Sequence, residues 1–336
     1  MPDPAPLAVV FGGSGFIGRY VVQRLARRDW RVRVAVRRPN EAHFTRSYGD
    51  VGQVQPMQAN IRHEGSCRKV LEGARAVVNC VGILAEHGPQ KFAAVQAEGA
   101  ARLARLAAEA GAERFVQISA IGADAGSDSG YARSKAVGEA AVQSAFPNAV
   151  ILRPSIVFGP EDAFFNRFAG MTRLSPVLPV VGANSRFQPV YVEDVAEAAV
   201  RGAVGEAAPG VYELGGPRVA TFRELMELMR EVIRRPRLPI VEVPKPVARV
   251  QAFCLTMLER ITGGLFANDI LTLDQIRLLG RDNVVSEGAK GLGDLGIRPT
   301  AMEAVLDSYL WPYRPGGQYS KLRESAREPR PGPPQA

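Results

Sequence analysis

The feature that most constrains the fold of this chain is a glycine-rich loop near its N-terminus. The loop reads Phe11-Gly-Gly-Ser-Gly-Phe-Ile-Gly18 and joins the short apolar run 7–11 to a segment whose apolar residues recur at helical spacing. Gly12 permits a tight turn, Gly15 lets the backbone approach a pyrophosphate, and Gly18 allows close packing of helix on strand. Glycines alone are weak evidence, but the flanking strand and helix favour a dinucleotide-binding loop over a plain turn.

The helix after this loop begins near Phe16 and Ile17. The first amides of a helix have no intrahelical partner, and the helix dipole places a partial positive charge there. We therefore expect the phosphates of a dinucleotide to bind at this point.

Strand and helix signals alternate through the first half, which predicts a parallel sheet with crossover helices. The result is an α/β fold with a Rossmann-type doubly wound sheet, which binds its ligand at the carboxyl ends of the strands. The predicted strands are 7–11, 32–36, 54–58, 76–80, 115–119 and 150–152, and the predicted helices are 15–28, 66–71, 92–110 and 131–145.

The rhythm breaks after about Arg153, where prolines become frequent and helices isolated. Thr221 and Glu224 form a capping-box pattern at the start of one of these helices. We predict a dinucleotide-binding domain over 1–153, whose sheet later segments complete, and a smaller irregular α/β lobe over 154–314. A flexible tail rich in glycine, proline and charge follows over 315–336.

Composition narrows the function classes. No apolar stretch approaches the ~20 residues that cross a bilayer, and no signal peptide is evident, so we expect a location in the cytoplasm or at the cytoplasmic face of a membrane. The three cysteines and three histidines lie far apart, and neither a disulfide nor a metal site is expected. The 42 lysines and arginines exceed the 34 acidic residues by eight. This excess favours an acidic partner or is simply a soluble basic surface.

The second predicted strand ends in Val36-Arg37-Arg38, where an NAD-specific site would carry an acidic residue for the ribose hydroxyl. Guanidinium groups match a 2′-phosphate in charge and geometry. The sequence therefore favours NADPH (NADP) over NAD as the cofactor. The alternative is that Arg37 and Arg38 extend a basic surface formed by the preceding arginines.

From the glycine loop to about residue 200, the chain resembles the short-chain dehydrogenase/reductase superfamily in its extended and atypical branches. Ser119, Tyr131 and Lys135 follow the loop in that family's order. The resemblance implies that Tyr131 exchanges a proton with a substrate, that Ser119 donates to the substrate oxygen, and that Lys135 holds the nicotinamide ribose. Tyr131 and Lys135 share a helix face, so the ammonium is expected to lower the pKa of the phenol. The alternative is a retained cofactor clamp without a reaction, and we favour it.

The same resemblance implies further cofactor contacts at the ends of other strands. Relatives often carry an asparagine where this chain has Gln96, a departure that weakens the case for turnover. The implied contacts are Asn60 and Ile61 near the adenine, Val81 and Gly82 after the fourth strand, and Pro154 and Ser155 near the nicotinamide.

The segment 246–262 carries an apolar stripe at helical spacing that includes Val247, Val250 and Phe253. Such a helix can lie on a membrane surface or against a partner. We favour the simpler interpretation, in which the stripe packs on its own domain.

The stretches 271–285, 295–300 and 309–319 extend the resemblance to the bacterial form of the NADPH-binding accessory subunits of respiratory complex I (NADH:ubiquinone oxidoreductase). That resemblance implies a non-catalytic subunit on the peripheral arm near the quinone site, at the cytoplasmic side of the bacterial inner membrane. The main alternative is a free-standing reductase, dehydrogenase or epimerase, and a third is a factor in ubiquinone biosynthesis. No nucleic-acid partner is expected, because no recognised motif accompanies the arginines.

Overall fold

A seven-stranded parallel sheet forms the centre of the protein in the computed structural model, which describes residues 5–261 and 272–317. Its strands lie in the order β3-β2-β1-β4-β5-β6-β11. The strands are β1 Leu7–Phe11, β2 Arg31–Val36, β3 Val54–Gln58, β4 Ala76–Asn79, β5 Arg114–Ile118, β6 Val150–Pro154, β7 Val157–Phe158, β8 Leu178–Val180, β9 Arg186–Phe187, β10 Val190–Tyr191, β11 Gly210–Leu214, β12 Ala220–Thr221 and β13 Ile240–Glu242.

Helices connect these strands and cover the sheet. The segment predicted as one helix over 92–110 divides into a π-helical turn, Ala93–Ala97, and the helix after it. The helices are α1 Phe16–Ala26, α2 Glu64–Leu71, α3 Glu98–Glu109, α4 Gly130–Ala145, α5 Phe165–Met171, α6 Val192–Val204, α7 Phe222–Val232, α8 Lys245–Ile261, α9 Leu273–Leu278 and α10 Met302–Leu310.

The strand order confirms the predicted doubly wound fold. It reverses between β1 and β4, which is the point where such sheets bind ligands. The predicted strands all form, within one or two residues of their expected bounds. The remaining strand of the sheet, β11, lies at its edge and pairs in parallel with β6. It comes from beyond the predicted first domain, as expected of a sheet that later segments complete.

Alternate residues of the central strands point to opposite faces, and each face carries its own apolar core. Val10 packs with residues of α1 and α6 such as Leu25 and Val195. Phe11 packs on the other face with residues of α2 and α3, among them Leu71 and Leu103. Helices on both faces explain why the central strand β1 is apolar and buried along its whole length.

The segments after β6 build a separate apolar cluster around Phe165, Phe222, Met229 and Leu306, which joins α5, α7 and α10. Thr221 caps α7 as the sequence predicted: its hydroxyl accepts the amide of Glu224 at 3.2 Å, while the Glu224 carboxylate accepts the amide of Thr221. This reciprocal pairing fixes where α7 begins.

The favoured prediction for the apolar stripe of α8 is wrong. Val247, Val250 and Phe253 are 55%, 63% and 55% exposed, so they do not pack on the described part of the chain. The helix instead lies on its neighbours through the buried Ala248 and Ala252. Small side chains bring the helix backbone close to the protein and leave the larger ones on the outer side. The side chains of Leu258 and Ile261, also in the stripe, lie outside the described residues.

Among the described residues, no helix combines the length and apolarity that crossing a bilayer requires. Most of the predicted tail, residues 318–336, lies outside the described residues, as does the start of the 271–285 stretch.

Candidate dinucleotide-binding site

The glycine loop turns sharply at the end of β1. Gly12 has a φ of +73°, which L side chains rarely adopt, and its amide donates to the carbonyl of Ala35 on β2 at 2.9 Å. Gly15 closes the turn by donating to the Gly12 carbonyl at 2.9 Å and stands at the N-cap of α1. The loop therefore ends at the start of a helix, as the sequence predicted.

Two glycines of the loop differ in what surrounds them. A Cβ on Gly18 would lie 2.2 Å from the Gly12 carbonyl oxygen and 2.7 Å from the Gly13 Cα, so α1 packs directly on the loop backbone. A Cβ on Gly15 would meet only the Gly12 oxygen, at 3.1 Å, and Gly15 is exposed. No side chain caps α1, which leaves the first-turn amides of Phe16 and Ile17 available to an anion.

Gly13 is a further glycine of the loop, with a structural role that was not predicted from the sequence. A Cβ there would lie 3.0 Å from the side chains of both Val22 and Val34, because α1 and β2 converge on this residue. The doubled glycine after Phe11 was the available signal. Gly13 thus serves packing, whereas Gly15 faces solvent.

The end of β2 carries the basic pair that the sequence singled out. Val36 is buried, while Arg37 and Arg38 are exposed. Arg38 forms an exposed ion pair with Glu41 at 3.0 Å. Arg19, which was not predicted as a site residue, lies beside the glycine loop, where its guanidinium donates to the Ser14 carbonyl at 3.2 Å.

Asn60 and Ile61 lie just after β3, at the same edge of the sheet. The Asn60 side chain accepts the amide of Arg62 at 3.1 Å within its own turn. Ile61 is buried and packs closely against Gly99 of α3: a Cβ added to Gly99 would lie only 2.9 Å from the Ile61 side chain. Both side chains therefore make contacts within the protein that fix the turn after β3.

Val81 and Gly82 follow β4 next to the glycine loop. A Cβ on Gly12 would lie 3.3 Å from the Val81 side chain, and one on Gly82 would lie 3.4 Å from the Nζ of Lys135. The Asn79 side chain fixes this turn by accepting the Val81 amide at 3.1 Å. The residues after β4 therefore connect the loop with the Tyr131–Lys135 pair.

Tyr131 and Lys135 lie on the first turns of α4, but their electrostatics differ from the expectation. The Lys135 Nζ lies 5.8 Å from the centre of the Tyr131 ring and donates to the Ile118 carbonyl at 3.3 Å. Burial raises the pKa of Tyr131 to about 12, so the predicted lowering is wrong. Burial lowers the pKa of Lys135 to about 8, against opposing effects of the charges of Glu139 and Cys80.

Ser119 follows β5 and is buried. Its hydroxyl donates to the carboxylate of Glu139, which also pairs with Arg153 at 2.6 Å. Sequence reasoning overlooked Glu139, although it stands one turn beyond Lys135 on α4. The Ser119 hydroxyl is thus committed to an internal ion pair.

Gln96 lies on the π-helical turn and is buried. Its amide nitrogen donates to the Ile83 carbonyl at 2.6 Å, and its oxygen accepts the Ser134 hydroxyl at 2.8 Å. Gln96 therefore ties the loop after β4 to α4, and both of its hydrogen-bonding groups are used.

Pro154 ends β6 and Ser155 follows it, both buried. The Ser155 hydroxyl lies 2.8 Å from the backbone carbonyl of Asn283 and 2.7 Å from its side-chain oxygen. A residue from the second half of the chain thus reaches the position that the resemblance assigned to the nicotinamide.

Because the strands are parallel, the residues after β1, β2, β3, β4, β5 and β6 all lie along one edge of the sheet. The structure brings the glycine loop, Val81, Gly82 and Lys135 into one group by the distances above. Ser119 and Ser155 are engaged by Glu139 and Asn283, and Arg37 is exposed just after β2.

Two relatives are similar to the chain in sequence. It is 37% identical over 318 residues to the mitochondrial NADH dehydrogenase (ubiquinone) 1 alpha subcomplex subunit 9 of Arabidopsis thaliana. The aligned region covers 93% of this chain and 79% of that protein. It is 34% identical over 194 residues to a ceramide reductase of Caulobacter vibrioides, which covers 58% of this chain and 60% of that protein.

A solved structure shares the fold. A double mutant of a dTDP-glucose 4,6-dehydratase of Streptomyces venezuelae, solved with NAD bound, superimposes with a TM-score of 0.68 at 20% identity, over 94% of this chain and 99% of that one. The sequence profile of the NAD dependent epimerase/dehydratase family matches residues 8–215, which hold the glycine loop and the Tyr131–Lys135 pair. The chain belongs to the NAD dependent epimerase/dehydratase family.

Proposed function

We propose that the chain is a non-catalytic, NADP(H)-binding accessory subunit of respiratory complex I, attached to the peripheral arm near the quinone site on the cytoplasmic side of a bacterial inner membrane. The observation that carries the proposal is the 37% identity, over 93% of the chain, to a protein named as a subunit of NADH dehydrogenase (ubiquinone). This likeness extends well beyond the family match at 8–215, into the second half of the chain.

The residues at the glycine loop fit a dinucleotide. Gly15 is exposed, and the uncapped amides of Phe16 and Ile17 offer donors to a pyrophosphate. When bound, a nicotinamide dinucleotide supplies hydride chemistry. Here the chain's own residues would bind and orient it, with Lys135 on the ribose and Val81 and Gly82 beside it.

The hydrogen bond of Ser119 and the pKa of Tyr131 support a role without turnover. Ser119 donates to Glu139, so its hydroxyl is not aimed at Tyr131. Tyr131 is held as a phenol by a pKa of about 12. A proton exchange near neutral pH works best when the pKa of the acid lies near that pH, and this condition is not met.

We expect Arg37→Glu to weaken NADPH binding by ~1.5–3 kcal/mol, the scale of a hydrogen bond to a charged group. Arg37 is exposed after β2 and free to reach a 2′-phosphate, and no acidic residue occupies this strand end. Titrating NADPH and NADH into cofactor-free protein measures the effect. Arg31→Glu, the same charge change at the opposite end of β2, is the control and should leave both affinities unchanged. Equal affinity of the wild type for the two cofactors would contradict the NADP(H) preference.

The α8 surface supports attachment to something larger. Val247, Val250, Phe253 and Met257 are each more than 40% exposed along one helix. Exposed apolar stripes of this kind mark a protein or membrane contact. Either contact, with a partner protein or with a membrane surface, is consistent with a peripheral subunit at a membrane.

The assembly proposal is tested by isolating membranes and complex I from cells that carry variants. We expect the wild-type chain to co-migrate with the redox subunits and Gly15→Leu to be depleted from the complex. A leucine at this position blocks the approach of the pyrophosphate, and a cofactor at a thousandfold excess over its Kd stabilises a protein by ~4 kcal/mol. Tyr131→Phe is the matched control within the site and should assemble normally, because it removes only a hydroxyl. A wild-type chain found entirely in the soluble fraction would exclude the accessory-subunit role.

The second candidate is a reductase of the same family, favoured by the 34% identity to a ceramide reductase. That match covers 58% of this chain, against 93% for the NADH dehydrogenase subunit, which places the reductase second. Turnover of a ketone by purified protein with NADPH, lost in Tyr131→Phe, would favour this candidate.

A further inference from the structure

One segment of the second half, residues 272–286, crosses the carboxyl ends of three neighbouring strands; we call it the covering segment. It contacts the carbonyl of Ile121 after β5, the hydroxyl of Ser155 after β6, and the carboxylate of Glu213 in β11. The segment contains α9, whose start is fixed by a capping box between Thr272 and Gln275. It therefore lies over the edge where this fold binds its ligands.

Asp274, in the first turn of α9, grips the start of the helix that carries Tyr131. One carboxylate oxygen accepts the Ser129 hydroxyl at 2.8 Å and the Tyr131 amide at 3.2 Å, and the other accepts the Gly130 amide at 2.9 Å. The Asp274 carboxylate therefore caps the N-terminus of α4 through three hydrogen bonds.

Two arginines reinforce the same contact from the covering segment. Arg281 reaches the Asp128 carboxylate at 2.8 Å and the Ser127 hydroxyl at 3.2 Å, and Arg277 donates to the Asp128 carbonyl at 3.2 Å. Ser127 is buried, so this contact extends into the protein. The turn before α4 is thus held along its length.

Asn283 fastens the segment above β5 and β6. Its backbone and side-chain oxygens both lie within hydrogen-bonding distance of the Ser155 hydroxyl, and its side-chain nitrogen donates to Ile121 at 3.4 Å. Its backbone also pairs with β9: its amide donates to the Arg186 carbonyl at 2.7 Å and its carbonyl accepts the Gln188 amide at 3.2 Å. Asn283 is therefore fixed on both sides.

We propose that the covering segment is an internal occupant of the substrate side of the site: Asp274 holds the start of the helix that carries Tyr131, Asn283 holds the Ser155 hydroxyl, and the segment between them keeps out a substrate with an anionic or carbonyl group. The inference rests on the proposed cofactor site and gives a physical reason for its lack of turnover. A tethered group acts at an effective concentration in the millimolar range or above, so a dilute external ligand competes poorly with it. Asp274 and Asn283 are positioning residues that exclude substrate.

The test uses the full chain with bound NADPH and measures how readily acrylamide quenches the nicotinamide fluorescence. We expect weak quenching in the wild type, and severalfold stronger quenching in Asp274→Ala and in Asn283→Ala, because each opens the covering segment. Asp294→Asn is the matched control: it alters a carboxylate that accepts the Gly291 amide outside the segment, and it should quench like the wild type.

A second measurement needs no cofactor. Hydrogen exchange at the amides of Gly130 and Tyr131 should be slow in the wild type and severalfold faster in Asp274→Asn, a variant that keeps the side-chain shape if Asp274→Ala folds poorly. Exchange further along α4, around Val142, should not change. Equal exchange in wild type and variant would overturn the Asp274 contact.

The outcomes separate the two levels of the proposal. Faster exchange with unchanged quenching would reduce Asp274 to a helix cap and overturn its role in excluding substrate. A wild-type chain that binds no reduced dinucleotide would contradict the proposed function instead. The exchange measurement would still decide for or against the internal contact in that case.

Discussion

Gly18→Ala is expected to abolish tight dinucleotide binding and to lower the free energy of unfolding by ~3 kcal/mol, at the upper end of the range for overpacking a filled site. The added Cβ would stand 2.2 Å from the Gly12 carbonyl oxygen and 2.7 Å from the Gly13 Cα. Both are backbone atoms, so no side chain can rotate away. Either α1 or the loop has to shift, and the first-turn amides shift with it.

Denaturant unfolding and cofactor titration of the same samples measure the two effects separately. Gly15→Ala is the informative comparison, because its Cβ meets only the Gly12 oxygen at 3.1 Å and points to solvent. It should cost little stability while weakening the cofactor. Gly65→Ala in α2 meets nothing within 4 Å and should be neutral or slightly stabilising. A Gly18→Ala variant that keeps both its stability and its affinity would mean that α1 does not pack on the loop as described.

The parts of the site that sequence predicted are those set by local chemistry. A glycine that must adopt positive φ, a helix that starts after an apolar strand, and a Thr221–Glu224 capping box each depend on a few neighbouring residues. Local preferences of this kind are readable from one chain. Several predicted strands formed for the same reason: β1 and β4, for example, are short, mainly apolar runs followed by turn residues.

The contacts that could not be predicted from the sequence join residues far apart in the chain. The Ser119 hydroxyl donates to Glu139, which lies 20 residues on and enters the same buried space only when α4 packs beside β5. Asp274 reaches α4 across 143 to 145 residues, and nothing in its own neighbourhood signals that contact. Long-range partners are decided by tertiary packing, which periodicity does not record.

The α8 stripe shows a different limit. Periodicity identified an apolar face correctly, but it could not say whether the large or the small apolar residues meet the protein. Ala248 and Ala252 do so, and Val250 and Phe253 remain outside. A hydrophobic pattern therefore predicts that a face is buried against something, without identifying what.

Lys135→Met is expected to stabilise the cofactor-free protein at pH 7 by ~2 kcal/mol, since it removes a buried charge while keeping the length of the side chain. The Lys135 pKa falls from an ordinary 10.5 to about 8, mainly through burial. This difference corresponds to ~3 kcal/mol of unfavourable free energy when the lysine is charged in both states, which is the case below pH 8. The lost hydrogen bond to Ile118 offsets part of the gain.

The way in which the stability difference between the two proteins changes with pH tests whether the buried lysine charge is its cause. Between pH 8 and 10.5 the unfolded chain keeps the Lys135 proton while the folded chain releases it, so wild-type stability rises with pH through this window. The methionine variant lacks that contribution, so its advantage of ~2 kcal/mol at pH 7 should fall by ~3 kcal/mol across the window, which leaves it ~1 kcal/mol less stable than the wild type at the upper end. Glu139, Cys80 and Tyr131 surround position 135 in both proteins, so comparing the two chains cancels most of their own titration.

Lys290→Met is the matched control for this experiment. The Nζ of Lys290 lies 5.7 Å from the centre of the Tyr212 ring, nearly the spacing of Lys135 to Tyr131, but Lys290 is exposed. Its replacement should change stability little and by the same amount at every pH. Urea unfolding of the three proteins at pH 7, 8.5 and 10 supplies the comparison. Lys135→Met could instead be less stable than the wild type at pH 7, by a margin that does not vary with pH. That result would mean that the protein stabilises the ammonium and that its burial does not lower the stability of the cofactor-free protein. The opposite result would mean that this charge is retained at a cost to the fold, as expected of a group whose partner is the bound dinucleotide.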